Sequence, residues 1–203
     1  MITKGGYLGI AKSAEISVRQ VIHDDKWVTA DLVDVKFDNG KEMKNFLRLT
    51  AKNGGYVMVI PRLRDGRFIL TRQFKPVAGV TIEGVAGSRE PSDDGWYFSV
   101  IREMKEEVGY LPLSIKKIGD KFYPLSDRVD NPCRLYVALD CQLTDQAKQD
   151  ELQGVECLIC TRDEVLQMVG SGAIRDLATA AGIFAALLIE DSTYYSNFIS
   201  EGI

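Results

Sequence analysis

The sequence contains very little histidine and no excess of basic residues. Its 203 residues include a single histidine, His23, and 25 Lys and Arg residues against 29 Asp and Glu residues. One histidine cannot form a histidine dyad or a histidine-rich metal site, so acid–base and metal chemistry would fall to carboxylates. Because nucleic-acid-binding surfaces usually carry a basic excess, the net charge of −4 leads us to expect no nucleic-acid partner.

Long apolar runs are also lacking. The longest apolar-rich stretch, residues 177–189, is shorter than the roughly 20 residues needed to cross a bilayer. Residues 1–9 have no apolar core or cleavage site of a secretion signal. We therefore expect no membrane partner and a cytoplasmic location. The content of 45% apolar and 27% charged residues is typical of soluble globular proteins and excludes a disordered or collagen-like chain.

Cysteine is scarce as well, with four residues at positions 133, 141, 157 and 160. Cys157 and Cys160 have CxxC spacing, which leaves a zinc or redox protein as an alternative, but the other two do not form a second CxxC. The segment 155–160 has the pattern of a strand and not of a helix N-terminus that would acidify a thiol. We interpret all four as buried, unreactive side chains.

Turn signals and apolar patterning predict two domains. The polar, Gly-rich stretch 52–55 separates a small antiparallel β-lobe, residues 1–53, from a larger domain, residues 54–203. In the lobe, two strands flank a hairpin turn at 38–40. The larger domain alternates strands and helices without a regular βαβ rhythm, which predicts the α+β class. The strands are predicted at 15–22, 27–37, 44–49, 56–60, 67–74, 81–87, 115–122, 134–139 and 155–160, and the helices at 96–108, 162–169 and 174–189.

The helix predicted at 96–108 carries the most informative residues. Glu103, Glu106 and Glu107 stand at i, i+3 and i+4, so their side chains share one face of a helix. Three convergent carboxylates are suited to Mg²⁺, which prefers oxygen ligands. Arg102 could orient one of them with its planar guanidinium. Taken alone, the same cluster also fits a solvated surface helix. The inward-facing residues are predicted to be Phe98, Ile101, Met104 and Val108.

Together with a preceding Gly turn, these residues resemble the Nudix box, G-x5-E-x7-R-E-U-x-E-E-x-G-U, in which U is apolar. One residue is inserted between Gly87 and Arg102, and the box Glu is replaced by Asp93 or Asp94, depending on where the insertion is placed. The half that carries the family's metal ligands is intact. The matching residues are Gly87, Arg102, Glu103, Met104, Glu106, Glu107, Gly109 and, less ideally, Tyr110.

Further motifs resemble the ADP-ribose/ADP-sugar pyrophosphatase branch of that family. Residues 72–75, Arg-Gln-Phe-Lys, correspond to R-Q-[YF]-R, and residues 83–87, Glu-Gly-Val-Ala-Gly, correspond to E-L-P-A-G. Residues 171–176 match the S-G-x-I-x-D motif. Lys75 departs from the pattern because it keeps the charge of arginine but loses its bidentate contact with phosphate. Gly84 and Val85 replace Leu-Pro.

The resemblance implies an α/β/α sandwich, the Nudix fold, with a mixed sheet between helices. It implies Mg²⁺-dependent hydrolysis of a nucleoside diphosphate sugar, here ADP-ribose to AMP and ribose 5-phosphate, with Mn²⁺ as a possible substitute for Mg²⁺. Glu103 and Glu107 would hold the metal, with Glu106 and the Ala86 carbonyl as further ligands. There are two alternatives. One is a Nudix hydrolase that acts on another NDP-sugar, such as GDP-mannose, or on a dinucleotide. The other is a nucleotide-binding module that has lost catalysis.

The resemblance also implies roles around the metal. Glu107, Arg102 and Glu151 form the expected catalytic set, with Glu151 as the general base on a loop and Asp150 as the neighbour that could replace it. The branch also implies a homodimer in which the N-terminal lobes complete each other's sites. Trp27 would stack on the adenine, although it also suits an ordinary core or interface aromatic. The expected substrate-pocket residues are Trp27, Arg72, Lys75 and Glu83.

Overall fold

The computed structural model describes residues 12–144 and 154–190. The chain divides into two compact units. The first consists of the residues up to Lys52 together with Leu125–Asn131, and the second contains the rest. The first unit therefore draws on two separate stretches of the sequence.

The first unit is a four-stranded sheet in the order β1-β2-β3-β10. β1 (Ala14–Asp24), β2 (Val28–Phe37) and β3 (Glu42–Ala51) are antiparallel neighbours, and β10 (Val129–Asp130) runs parallel to β3. The predicted hairpin turn lies between β2 and β3, where Gly40 adopts a φ of 82°. Such a left-handed conformation is easily adopted by glycine.

A mixed sheet in the order β7-β4-β11-β9 forms the centre of the second unit. β4 is parallel to β11 and antiparallel to β7, and β9 is antiparallel to β11. Two smaller sheets have the orders β13-β5-β6 and β12-β8. The strand bounds are β4 (Tyr56–Pro61), β5 (Phe68–Lys75), β6 (Gly79–Glu83), β7 (Val85–Ser88), β8 (Tyr110–Leu111), β9 (Ser114–Phe122), β11 (Cys133–Leu139), β12 (Gln142–Leu143) and β13 (Glu156–Cys160).

The two faces of the central sheet are covered by different helices. Val57 and Val59 of β4 belong to a buried cluster with Val100 and Met104, on the side of helix α1 (Trp96–Glu103). The alternate β4 residues lie in a second cluster with Ile183 of helix α3 (Leu177–Glu190). Side chains alternate across a strand, so a continuous apolar strand such as β4 can serve both clusters. This arrangement is the predicted α/β/α sandwich.

The predicted strand at 81–87 is two strands that belong to different sheets. β6 pairs with β5, β7 pairs with β4, and the chain passes from one sheet to the other at Gly84. The sequence prediction treated residues 81–87 as one strand and did not place a break at Gly84.

The predicted helix at 96–108 consists of two parts. After α1, residues Met104–Val108 are wound as a π-helix, in which the Gly109 N–H donates to the Met104 carbonyl at 3.0 Å. Gly109 has a φ of 74° and ends the helix as predicted. The prediction for Phe98 was wrong, because its side chain is 51% exposed. The inward face is set by Val100 and Met104, both fully buried.

Two further predictions concern the second half of the chain. Thr161 caps α2 (Arg162–Ser171) through the Glu164 N–H at 3.4 Å, as predicted. α3 begins at Leu177, three residues later than predicted. Three cysteines are buried, but the prediction was wrong for Cys157, which is exposed. The described residues include no helix long and apolar enough to span a membrane.

Candidate active site

The carboxylates of the predicted metal site lie where α1 gives way to the π-helical segment. Glu103 and Glu107 are four residues apart and point toward β7, and Glu103 is only 9% exposed. Glu107 accepts a long hydrogen bond from the Ala86 N–H at 3.4 Å. Glu106 is more exposed than Glu103, with 48% of its side chain accessible. Two of the three predicted ligands are therefore held against the backbone of β7.

Gly87 makes room for one of these carboxylates. A Cβ atom at position 87 would stand 1.8 Å from Oε1 of Glu103. Carbon and oxygen atoms that are not bonded cannot approach so closely, so any side chain at this position would displace the Glu103 carboxylate. The glycine of the box is thus required by close approach and not by an unusual φ angle.

Arg102 connects the helix to the loop before it. Its Nη1 donates to Glu103 Oε1 at 2.7 Å and to Glu106 Oε2 at 3.2 Å. Its Nη2 donates to the carbonyl of Ser88 at 2.7 Å and to Asp93 Oδ2 at 3.0 Å. One guanidinium therefore fixes two carboxylates of the helix and the end of β7, as its fork of five donors allows.

The structure distinguishes the two candidates for the box acid. Asp93 is 6% exposed and accepts hydrogen bonds from Arg102, from the Ser99 hydroxyl at 2.8 Å and from the Glu90 N–H at 2.9 Å. The contact with Arg102, together with these bonds, lowers the pKa of Asp93 to about 2. Asp94 is exposed. Asp93, and not Asp94, is therefore the acid that pairs with Arg102.

Burial changes the acidity of both inner carboxyl groups. It raises the pKa of Glu107 to about 8, and the nearby charge of Glu103 adds to this shift, while the Ala86 N–H and Lys75 oppose it. Burial also raises the pKa of Glu103 to about 7, although Arg102 opposes the change. Carboxyl groups in such surroundings favour a nearby positive charge, because it offsets the desolvation of their ionised form.

Two of the predicted pocket residues lie close to each other. Lys75 Nζ, at the end of β5, is 3.8 Å from Glu83 Oε2, at the end of β6. Burial raises the pKa of Glu83, and Lys75 opposes that rise. Arg72, three residues earlier on β5, forms its ion pair with Glu156 of β13. The structure therefore brings Lys75 and Glu83 together and directs Arg72 to a different partner.

The chemistry of the inner acids suits a hard divalent cation. Glu103 and Glu107 offer carboxylate oxygens, which Mg²⁺ and Mn²⁺ prefer. Burial raises the pKa of both groups, and a nearby cation would favour their ionised form. Within residues 12–144 and 154–190, no three His, Cys, Asp or Glu side chains converge as a ready metal-binding group. Glu106 contacts Arg102 instead, with its Oε2 3.2 Å from Nη1 of the arginine.

The remaining predicted site residues are spread over the chain. Ala86 lies on β7, paired with Met58 of β4. Trp27 lies at the turn between β1 and β2 and is 60% exposed, with Lys26 Nζ 4.6 Å from its ring centroid. An ordinary core position for Trp27 is therefore wrong. Glu151 and Asp150 lie outside the described residues.

Comparison with known proteins identifies the family. The family model described as the NUDIX domain matches residues 52–178, more than half of the chain. The chain belongs to the Nudix family. The predicted Nudix hydrolase is thereby confirmed.

Two curated relatives of this Nudix protein carry the same name. The ADP-ribose pyrophosphatase of Bacillus subtilis (strain 168) is 29% identical over 167 residues, which cover 81% of this chain and 88% of the relative. The ADP-ribose pyrophosphatase of Saccharomyces cerevisiae (strain ATCC 204508 / S288c) is 31% identical over 148 residues, which cover 68% of this chain and 64% of the relative.

A solved structure confirms the Nudix fold. The crystal structure of an ADP compounds hydrolase superimposes with a TM-score of 0.73, at 17% identity, and covers 91% of this chain and 98% of its own. Such a level of identity establishes the fold alone. The predicted α+β class and mixed-sheet sandwich are both confirmed by this match.

The Nudix site contains residues that no sequence motif indicates. The Ser99 hydroxyl is fully buried and donates to Asp93, and the Ser88 carbonyl accepts from Arg102. A serine within a helix has no pattern that distinguishes it from a surface serine, and a backbone carbonyl has no sequence signal at all. The zinc or redox alternative loses support, because Cys157 and Cys160 stand three apart on β13 and such residues face opposite sides of a strand.

Proposed function

We propose that this protein is a cytoplasmic ADP-ribose pyrophosphatase that hydrolyses ADP-ribose to AMP and ribose 5-phosphate. The observation that carries the proposal is the pair of glutamates beside β7, the buried Glu103 against Gly87 and the half-buried Glu107 against the Ala86 N–H. Both curated relatives are named ADP-ribose pyrophosphatase, which supports ADP-ribose as the substrate.

Glu103 and Glu107 would hold Mg²⁺, with Glu106 and the Ala86 carbonyl as further ligands. A bound divalent cation neutralises the pyrophosphate and lowers the pKa of an attacking water. Arg102 keeps Glu103 in place through its 2.7 Å contact. Holding the ligands in advance favours catalysis, because phosphoryl transfer depends mainly on positioning and on stabilisation of charge.

Further residues would bind substrate and move the proton. Lys75, paired with Glu83, is a cation available for a diphosphate oxygen. Arg72 would also serve the diphosphate after leaving its partner Glu156. Trp27 would stack on the adenine, since it presents a largely exposed ring. Glu151 is proposed as the general base that accepts a proton from the attacking water.

The test is hydrolysis of ADP-ribose by the purified protein with Mg²⁺, with AMP and ribose 5-phosphate measured as products. EDTA and the variant Glu107→Gln should both abolish turnover, while circular dichroism of the variant stays unchanged. A panel including GDP-mannose and a dinucleotide should show lower kcat/KM than ADP-ribose. Full activity of Glu107→Gln would refute the assignment of this residue as a metal ligand.

We further propose that the N-terminal lobe, residues 1–53, forms a homodimer. β1 is exposed along its whole length, and it carries four apolar side chains that are each more than half exposed. Exposed apolar groups that line up on one strand favour burial against another chain. These residues are Ile16, Val18, Val21 and Ile22.

The dimer is tested by light scattering on the purified protein at micromolar concentration. The expected mass is twice 22.6 kDa. Val18→Glu should shift it toward the monomer, because a charge would be buried in the interface. The neighbouring substitution Gln20→Glu is the control and should leave the mass unchanged. A monomeric wild-type protein would contradict the proposal.

A further inference from the structure

The loop between α2 and α3, which contains the S-G-x-I-x-D motif, holds β6 through several polar contacts. Arg175 Nη1 donates to the carbonyl of Ala78 at 2.6 Å. The Arg175 N–H donates to the Thr81 hydroxyl at 3.4 Å, and the Ile82 N–H donates to the carbonyl of Ala173 at 3.4 Å. The motif therefore fixes the strand that leads into the Nudix box.

The last residue of the motif begins a chain of contacts that ends at Gly84. Asp176 Oδ2 accepts from the Thr179 N–H at 2.6 Å, which caps the start of α3. The Thr179 hydroxyl is fully buried and accepts from the Gly84 N–H at 3.1 Å. Its own proton points toward Met58 Sδ at 3.6 Å. Both hydrogen-bonding directions of this hydroxyl are thereby assigned.

Gly84 needs such a partner because of its place in the fold. It lies between β6 and β7, where the chain leaves one sheet and enters another. A buried N–H without an acceptor costs about 1–3 kcal/mol. The backbone at Gly84 also lies very close to β4, since a Cβ at position 84 would lie 2.6 Å from the Val59 carbonyl oxygen. Glycine at this position, in place of the family's leucine, allows the junction to pack this tightly.

A second buried threonine holds the same junction from the other side. The Thr71 hydroxyl is fully buried and lies 3.3 Å from the Glu83 carbonyl oxygen and 3.5 Å from the Gly84 carbonyl oxygen. The junction is thus fixed by one hydroxyl from β5 and by another from α3.

We propose that Thr179, together with Thr71, is a positioning residue that sets the β6–β7 junction and thereby the backbone of Ala86 and Gly87 beside the metal-binding glutamates. The proposal rests on the metal site of the proposed function. Ala86 follows Gly84 by two residues, and its N–H contacts Glu107 at 3.4 Å. A displacement at Gly84 therefore reaches the site with little chain in between to absorb it. Changes to groups that support metal ligands commonly cost about 10–100-fold in affinity or activity.

The experiment compares Thr179→Val, which has nearly the same shape but no hydroxyl, with Thr179→Ser, which keeps the hydroxyl. Two quantities are measured for each: Mn²⁺ affinity of the full chain without substrate, by electron paramagnetic resonance, and kcat and KM for ADP-ribose. Thr179→Val should weaken Mn²⁺ binding and lower kcat by about 10-fold or more, with KM changed less than about twofold. Thr179→Ser should restore both to near the wild-type values.

The matched control is Ile183→Val, a fully buried position on the same helix without a hydrogen bond to the junction. It should lower Tm by a few degrees and leave Mn²⁺ affinity and kcat unchanged.

If Thr179→Val does not fold, Thr71→Val replaces it, with the same expected direction. Unchanged Mn²⁺ affinity and kcat in the folded variant would overturn the proposal. Wild-type protein that binds Mn²⁺ but does not cleave ADP-ribose would refute the substrate alone, and Mn²⁺ affinity would then decide the role of Thr179. Wild-type protein without Mn²⁺ binding would overturn both.

Discussion

Asp93 and Arg102 form a buried ion pair in which both oxygens of the carboxylate are contacted, Oδ1 by Nε at 3.1 Å and Oδ2 by Nη2 at 3.0 Å. The same guanidinium donates to Glu103 at 2.7 Å. Asp93 therefore acts on the inner glutamate indirectly, by fixing the arginine that holds it. The inserted residue in the box loop is accommodated without loss of this contact.

We predict that Asp93→Asn lowers both stability and activity. The amide cannot balance the charge of Arg102, and breaking a buried hydrogen bond to a charged group costs about 1.5–3 kcal/mol. Urea unfolding at pH 7 measures the free energy of unfolding, and kcat measures the effect on Glu103. Asp94→Asn is the matched control, because Asp94 is the adjacent but exposed acid. Equal effects of the two substitutions would contradict the assignment of Asp93.

The choice between Asp93 and Asp94 shows where sequence reasoning stops. The periodicity of the helix places Glu103, Glu106 and Glu107 on one face, and the motif gives Arg102 its partner by analogy. Neither determines how a loop with one extra residue closes on itself. That outcome depends on which aspartate can accept from the Ser99 hydroxyl, a contact that is only defined in three dimensions.

The error at Phe98 has a similar origin. An apolar residue in an amphipathic helix is expected to face inward, but the orientation of α1 is set by Val100 and Met104, which are fully buried. The π-helical winding after Glu103 further changes the phase of the side chains. Local pattern predicted that the helix exists and where it ends, at Gly109, and tertiary packing decided which residues it buries.

A second prediction concerns the space beside Glu103. Gly87→Ala should lower kcat and divalent metal affinity about 10-fold or more, because the new methyl group would overlap the Glu103 carboxylate and displace it. Metal affinity is measured by titration with Mn²⁺ and activity with ADP-ribose.

The control for this substitution is Gly170→Ala. A Cβ at Gly170, in α2, would meet no atom within 4 Å. Replacement of a helical glycine by alanine should raise stability by about 0.4–1 kcal/mol and leave kcat unchanged. A kcat for Gly87→Ala equal to that of the wild type would show that Glu103 can move without cost.

A third prediction addresses Trp27. Trp27→Ala should raise KM for ADP-ribose several-fold with little change in kcat, because removal of a stacking ring weakens ground-state and transition-state binding equally. Tm should stay within about 2 °C of the wild type, since the ring is 60% exposed and contributes little to the core. Trp27→Phe keeps an aromatic face and should recover most of the affinity. A large fall in Tm would indicate a structural role instead.

The fourth prediction is a pH dependence of stability in the metal-free protein. Burial raises the pKa of Glu107 to about 8, whereas an exposed Glu in the unfolded chain has a pKa of about 4.3. Between these values the folded state binds more protons than the unfolded state, so the free energy of unfolding falls as pH rises. Glu103, with a pKa of about 7, contributes in the same direction. Urea unfolding in EDTA should therefore show decreasing stability from pH 5 to pH 8.5.

Glu107→Gln separates this effect from other titrations. The variant has no charge to bury, so its stability should vary less with pH and exceed that of the wild type at pH 8.5 by about 1–3 kcal/mol. Saturating Mg²⁺ should stabilise the wild type at pH 8.5 and have little effect on the variant, because the cation binds the ionised carboxylate of the folded state. An identical pH slope in both proteins would show that Glu107 is not the group that titrates. The substitution expected to abolish catalysis is thus also expected to stabilise the metal-free fold, because the same buried charge that would bind the metal is unfavourable without it.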